Sequence, residues 1–254
     1  MNISFEVVPR DVDSLKSQLH FVETHLPFVE TINVPDLLRL PVRSWEAGKH
    51  IAREKYRFIP HLRAIDFDLK EMRLERMIEE CELDTVLLVS GDPPPNRLHP
   101  IYDTHVLEMI AKVRASFPAI KIFAAVDPYR SSLKREKAYM LKKLDVGADY
   151  LMSQPFFDMR LLEIFSELIP SEKAYWGISP IVKDQSRAYW EKMNQVVFPS
   201  DFKATYDWNI AFAEKVLNFC RLKGGNVYFM PISIDLEKYF SPIADFLEKP
   251  LPSE

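Results

Sequence analysis

The sequence predicts a (β/α)8 barrel. Eight short apolar runs of strand type recur at wide spacing along 254 residues. Helix-period segments fill the gaps, and such alternation builds a parallel sheet with helices outside. Polar side chains gather where most runs end, which in a barrel is the face that carries chemistry. About 250 residues is the usual size of that fold. A doubly wound open sheet is the alternative with the same alternation.

"ISFEVV" (3–8) carries Glu6 toward its end. The helix after it starts behind Asp11 and Asp13, both suited to capping, and places Leu15, Leu19, Val22 and Leu26 on one face. "FVETINV" (28–34) is the second run. The 35–55 stretch is less periodic, although "SWEAGKHIAREK" can be helical. "RFIPHLRA" (57–64) ends near His61 and Arg63, and helix 69–81 follows. "TVLLVSG" (85–91) ends at Ser90, Gly91 and Asp92, before helix 103–116. "KIFAAVD" (121–127) leads to helix 132–146. "YLMSQPF" (150–156) carries Gln154 near its end, and a helix follows Asp158 with Leu161, Leu162, Phe165 and Leu168. "AYWGISP" (174–180) ends near Ser179 and precedes helices 184–194 and 206–222. "NVYFMPI" (226–232) is the eighth run, and the last helix carries Leu236, Phe240, Ile243 and Leu247. No linker, low-complexity tract or charge block interrupts the pattern, so one barrel domain over 1–254 is the simplest organisation.

Composition narrows the function. With 47% hydrophobic residues the chain can bury a substantial core. A net charge of −4 gives no footprint for nucleic acid or an anionic membrane. No apolar run approaches the ~20 residues that span a bilayer. The N-terminus lacks the basic and apolar regions of a signal peptide. A soluble, cytoplasmic protein is expected. Cys81 and Cys220 lie far apart in predicted helices, without metal-ligand spacing, and read as buried free thiols. Only six glycines occur, and neither G-x-G-x-x-G nor G-x-x-x-x-G-K-[ST] is present, so no glycine-rich phosphate cradle exists.

Each strand-end residue has a structural and a functional reading. Glu6 lies among apolar neighbours, where a carboxylate is costly unless ion-paired. Unpaired, its pKa rises into the range useful for proton donation. Asp92 beside Gly91 and a proline run suits a turn as well as a site. His61 alone reads as a core histidine, Lys143 as a solvated helix lysine, Asp158 as an N-cap, and Phe156 and Phe157 as packing. Gln154 is a planar donor–acceptor amide at a strand end. Joint placement, not any single residue, suggests a site.

At these same positions the chain resembles methylenetetrahydrofolate reductases. Where that family has "SFEFFPP", this chain has "SFEVVPR" (4–10). Family "PHLT" is matched by "PHLR" (60–63), and "RGDPP" or "RGDLP" by "SGDPP" (90–94). Family "AGADFIITQLFFD" is matched by "VGADYLMSQPFFD" (146–158), and "GI-x-P" by "GISP" (177–180). "VYFMPIS" (227–233) resembles the last strand. The resemblance implies a barrel that binds FAD and reduces 5,10-methylenetetrahydrofolate to 5-methyltetrahydrofolate, within one-carbon metabolism and methionine biosynthesis. It implies Glu6 as the acid that opens the imidazolidine ring, Asp92 near flavin and pterin, and Gln154 against the folate. It carries flavin contacts to His61, Gly91, Asp92, Tyr102, Lys143 and Ala148. The electron donor it implies is NAD(P)H or a partner redox protein, and it leaves room for a homo-oligomer.

The departures fall on flavin and donor binding, and on a residue that in the family stacks on folate or nicotinamide. The arginine before Gly-Asp is Ser90, the tyrosine of "AAYPE" is Val126, the histidine beyond it has only Arg130 nearby, and the aromatic residue after "GI-x-P" is Asp184. Two other readings follow. One is a flavin-free pterin or folate enzyme, moving hydride directly from a nicotinamide or transferring a methyl group. The other is a non-catalytic folate-binding subunit of a larger complex, against which a retained Glu6 argues.

Overall fold

The computed structural model describes residues 1–8, 10–93 and 99–249. Eight parallel strands close into a barrel in sequence order. They are β1 (Ile3–Glu6), β2 (Thr31–Val34), β3 (Arg57–Arg63), β4 (Thr85–Val89), β5 (Lys121–Val126), β6 (Tyr150–Pro155), β7 (Ala174–Ile178) and β8 (Asn226–Phe229). The helices are α1 (Val12–His25), α2 (Arg73–Glu80), α3 (Val106–Ser116), α4 (Leu133–Asp145), α5 (Met159–Ser166), α6 (Asp184–Asn194), α7 (Tyr206–Lys223) and α8 (Leu236–Glu248). The barrel expectation is met, and the open sheet is excluded by the β1–β8 pairing that closes the ring.

Local chemistry sets the helix starts. Asp11 accepts from the Ser14 amide in a capping box, and Asp158 caps α5 through the Arg160 amide. Thr205 and Asp235 do the same for α7 and α8. The 35–55 stretch departs from the helical reading and holds only a short 3-10 turn at Glu46–His50. The Asp36 carboxylate is the reason: it binds the Arg43 guanidinium and the Ser44 amide, pinning this segment as an irregular loop. Gly48 packs so tightly that a Cβ there would sit 2.7 Å from the Phe58 ring. The cysteines are both free; Cys220 is buried, but Cys81 ends α2 half-buried rather than buried.

The strand alternation separates two cores. Residues pointing outward, such as Phe5, Ile32, Leu62 and Phe229, pack under the helices. Ile59, Leu87, Phe123, Met152, Tyr175, Tyr228 and Met230 fill the barrel itself. Burying each large apolar side chain contributes roughly 1.5–3 kcal/mol. The same inward parity carries Ser4 and Glu6 on β1, Asn33 on β2, His61 and Arg63 on β3, and Gln154 on β6. The barrel is apolar at its waist and polar toward its C-terminal mouth.

Beside that mouth, α6 is an excursion between β7 and α7. None of its residues is buried. It is held by an aromatic satellite in which Phe157, Phe198 and Phe202 meet Trp190 and Trp208. Among the described residues, no helix is long and apolar enough to cross a membrane.

Candidate active site

A cavity of about 1400 Å³ opens at the C-terminal ends of the strands. It has two lobes. The inner lobe enters the barrel mouth and reaches Glu6, His61, Gln154 and Tyr228. The outer lobe runs between the ends of β4 and β5 and α4, past Ser90, Val126, Tyr139 and Lys143. Trp190 and Met193 of α6 line the same cavity from the rim.

Glu6 is 7% exposed and makes no ion pair among the described residues. Its Oε2 accepts a hydrogen bond from the Tyr228 hydroxyl. Burial pushes its pKa up to about 7, against a smaller lowering by the Tyr228 bond. At neutral pH it is therefore a poised acid. His61 is also buried, with Nε2 3.4 Å from Asn33 Oδ1. Burial pulls its pKa down to about 3, so the ring is neutral. Asn33 in turn donates to the Ser4 hydroxyl. Gln154 is half-buried on the cavity wall, and its side-chain amide has no protein hydrogen bond among the described residues.

The loop after β4 is fixed by backbone geometry. Gly91 has φ +83°, and a Cβ there would meet Arg63 Nε at 2.9 Å. Arg63 donates to the Asp92 carbonyl and pairs with Asp66, which also binds Arg43, the partner of Asp36. That chain of charges ties together the loops after β2, β3 and β4. The Asp92 side chain is exposed at the cavity edge.

In the outer lobe Lys143 is buried, not solvated. Its Nζ donates to the Ala125 carbonyl at 2.6 Å and lies 3.9 Å from the Tyr139 ring centroid. Burial lowers its pKa to about 8. The Tyr139 phenol faces Ser90. Val126 is 2% exposed. Arg130, Arg135 and Lys142 stand exposed around this lobe, and half-buried Asp127 and buried Glu136 line it as well.

Six of the eight residues singled out in the sequence therefore share one cavity: Glu6, His61, Gly91, Asp92, Lys143 and Gln154. The other two do not line it. Tyr102 is half-buried on the loop before α3, its amide donating to the Ile65 carbonyl at 2.8 Å. Ala148 precedes β6, at the opposite end of that strand from Gln154. Asp184 is the exposed first residue of α6 and stays outside the lining. Sequence reasoning missed Tyr228, Asn33 and Tyr139. The available signal for Tyr228 was parity: in "NVYFMPI" it shares the inward face with Met230. Among the described residues, no three His, Cys, Asp or Glu side chains are grouped to hold a metal ion.

The closed parallel barrel, with an acid free of ion pairs and an open amide at its C-terminal mouth, defines the (β/α)8 class, whose sites lie at that mouth. The family model for methylenetetrahydrofolate reductase matches residues 46–214, and the chain belongs to that family. The matched span covers β3 to β7, so Glu6 and Tyr228 stand outside it. Solved structures share the fold. An uncharacterized protein from Clostridium thermocellum that binds two copies of 5-methyl-5,6,7,8-tetrahydrofolic acid superposes with a TM-score of 0.69 at 11% identity, over 96% of this chain and 94% of that one. Oxaloacetate acetylhydrolase superposes with a TM-score of 0.58 at 10% identity, over 91% of this chain and 75% of the other.

Proposed function

We propose that this chain is a single catalytic barrel that reduces 5,10-methylenetetrahydrofolate to 5-methyltetrahydrofolate in the inner lobe. The observation that carries this reading is Glu6: a buried carboxyl without an ion pair, its pKa raised to about 7, facing the cavity of a chain in this family. The methylene carbon resists hydride until the five-membered ring opens to an iminium ion. Opening leaves negative charge on the departing nitrogen, and an acid that still holds its proton near neutrality supplies what that nitrogen needs. Gln154 offers both an amide donor and an acceptor to the pterin edge. Neutral His61 adds no charge to compete with the cationic iminium. The folate-binding neighbour from Clostridium thermocellum supports folate as the ligand class.

The family typically uses FAD. Arg130, Arg135, Lys142 and Lys143 outnumber Asp127 and Glu136 in the outer lobe, and a cationic lining suits the diphosphate of a dinucleotide. Lys143 and the backbone at Gly91 and Asp92 would hold the diphosphate side, and His61 would border the ring. When bound, the flavin supplies hydride. In this reading Asp92, which lines the cavity edge, would border both flavin and pterin. The external donor in this reading is NAD(P)H or a redox partner.

One observation favours a second reading without flavin. The Lys143 ammonium is already engaged by the Ala125 carbonyl and the Tyr139 ring, and Ser90 and Val126 stand where the family has arginine and tyrosine. Direct hydride transfer from a nicotinamide in the outer lobe uses the same Glu6. Formation of 5-methyltetrahydrofolate, followed by chromatography with and without added FAD, tests both. Product only with FAD supports the first reading, and product with NADH or NADPH alone supports the second. No product with any donor overturns the reductase assignment.

A further inference from the structure

The acid of this barrel does not stand alone. Tyr228 lies on β8, adjacent to β1 in the closed ring, and points into the barrel with Met230. It is 3% exposed and lines the inner lobe beside Glu6. Its hydroxyl donates to Glu6 Oε2. Such a bond leaves the other carboxyl oxygen without a protein partner among the described residues. The His61 ring stands edge-on to Tyr228 at 6.5 Å between centroids, walling the phenol in.

We propose that Tyr228 is a positioning residue for Glu6: its hydroxyl holds one carboxyl oxygen so that the other faces the cavity and carries the transferable proton. This rests on the reductase reading above. The proton leaves the free oxygen of Glu6 for the departing ring nitrogen. The carbon–nitrogen bond breaks with its electron pair going to that nitrogen, and the iminium so formed accepts hydride from the reduced flavin or nicotinamide. Glu6 remains as a carboxylate, and the Tyr228 O–H is already aimed at it. Burial keeps the proton on until the transfer, and the phenol stabilises the anion afterwards. The two act in opposite directions on the same group.

Other titratable groups share the cavity. From β3 come neutral His61 and Arg63, from the loops after β2 and β4 Asp36 and Asp92, and from the outer lobe Asp127, Arg130 and Lys143. Arg63 and Asp36 are held within their own ion-pair chain. β2 presents only the uncharged Asn33, and the outward side of β1 meets the Phe240 ring. Burial and the phenol remain the two influences on Glu6.

The test titrates Glu6 directly, in ligand-free protein, by infrared difference spectroscopy of its carboxyl band, with Glu6→Gln identifying the band. Tyr228→Phe removes the donor and keeps the ring. A lost hydrogen bond to a charged group should raise the Glu6 midpoint by about 1–2 pH units. The alkaline limb of folate turnover should move by the same amount. Should Tyr228→Phe fail to fold, 3-fluorotyrosine at position 228 keeps the shape and strengthens the donor, and the midpoint should fall. A midpoint unmoved in whichever protein folds overturns the proposal, since a merely structural tyrosine leaves it in place. If the midpoint moves but Glu6→Gln leaves folate turnover intact, the pairing stands, and the reductase reading together with the proton-transfer role of Tyr228 is overturned.

Discussion

The two lobes of the cavity differ in how much of their polar chemistry is already used. In the inner lobe, Gln154 has no protein partner for its amide among the described residues, and one Glu6 oxygen is likewise open. In the outer lobe, Lys143 is bound to Ala125 and packed on Tyr139, while Val126 is closed in by its neighbours. Neither polar group is sealed from solvent, so each is open to water or to a ligand. The inner lobe thus keeps its acid and its amide open to the cavity, whereas the outer lobe has its buried lysine engaged by the protein.

The largest expected effect breaks the inner lobe alone. Glu6→Gln keeps the shape and removes the proton, so folate reduction should fall by about 10²–10⁴-fold. Reduction of any bound flavin by its donor should survive, because no ring opens in that half-reaction. Stopped-flow measurement of the two halves separates them. A parallel collapse of both would indicate damage to the fold.

The next effect is on stability. The Glu6 carboxyl holds its proton more tightly folded than unfolded. Its contribution is full below its ordinary pKa of 4.5 and is lost as the pH rises through about 7. His61 runs the other way: its contribution is full above its ordinary 6.5 and is lost as the pH falls through about 3. The two slopes oppose each other between those ordinary values. Glu6→Gln should unmask the His61 slope, so that stability rises with pH where the wild type is nearly flat. The Glu6 branch is on the order of 3 kcal/mol across its range. Urea midpoints at several pH values check this.

Smaller effects sharpen the contrast between lobes. Lys143→Met should weaken FAD binding by roughly 10–100-fold, the size of a charge-assisted hydrogen bond, and leave folate affinity unchanged. Titrations with FAD and with 5-methyltetrahydrofolate read the two separately. An unchanged FAD affinity would favour the flavin-free reading. Smallest, Gln154→Ala should cost about 10-fold in folate affinity, as one neutral hydrogen bond allows, with FAD affinity untouched.

Most of the architecture was legible in the sequence because period and spacing are local properties. The eight runs and the helix at 184–194 lie where the alternation put them. The 35–55 stretch was not legible, because the Arg43–Asp66 pairing and the Ser44 bond to the His61 carbonyl that hold it reach beyond the segment. The same distinction holds in the site. Glu6 stood out through its apolar neighbours, and Gln154 through its place at a strand end. Tyr228 did not, since its partner is 222 positions away and only barrel closure brings them together. Lys143 read as solvated because a helix lysine is usually so; its burial depends on a side chain that reaches up α4 to the end of β5.

The central claim is that Glu6 delivers a proton from a buried, protonated carboxyl. The most direct measurement is single-turnover formation of 5-methyltetrahydrofolate across pH 5 to 9, with reduced FAD or NADH as the hydride source. The wild-type rate should be level below about pH 7, where Glu6 holds its proton, and should fall about tenfold per unit above it. Glu6→Gln should be slow and level throughout. A wild-type rate that rises through neutrality, or a Glu6→Gln profile matching the wild type, would contradict the account.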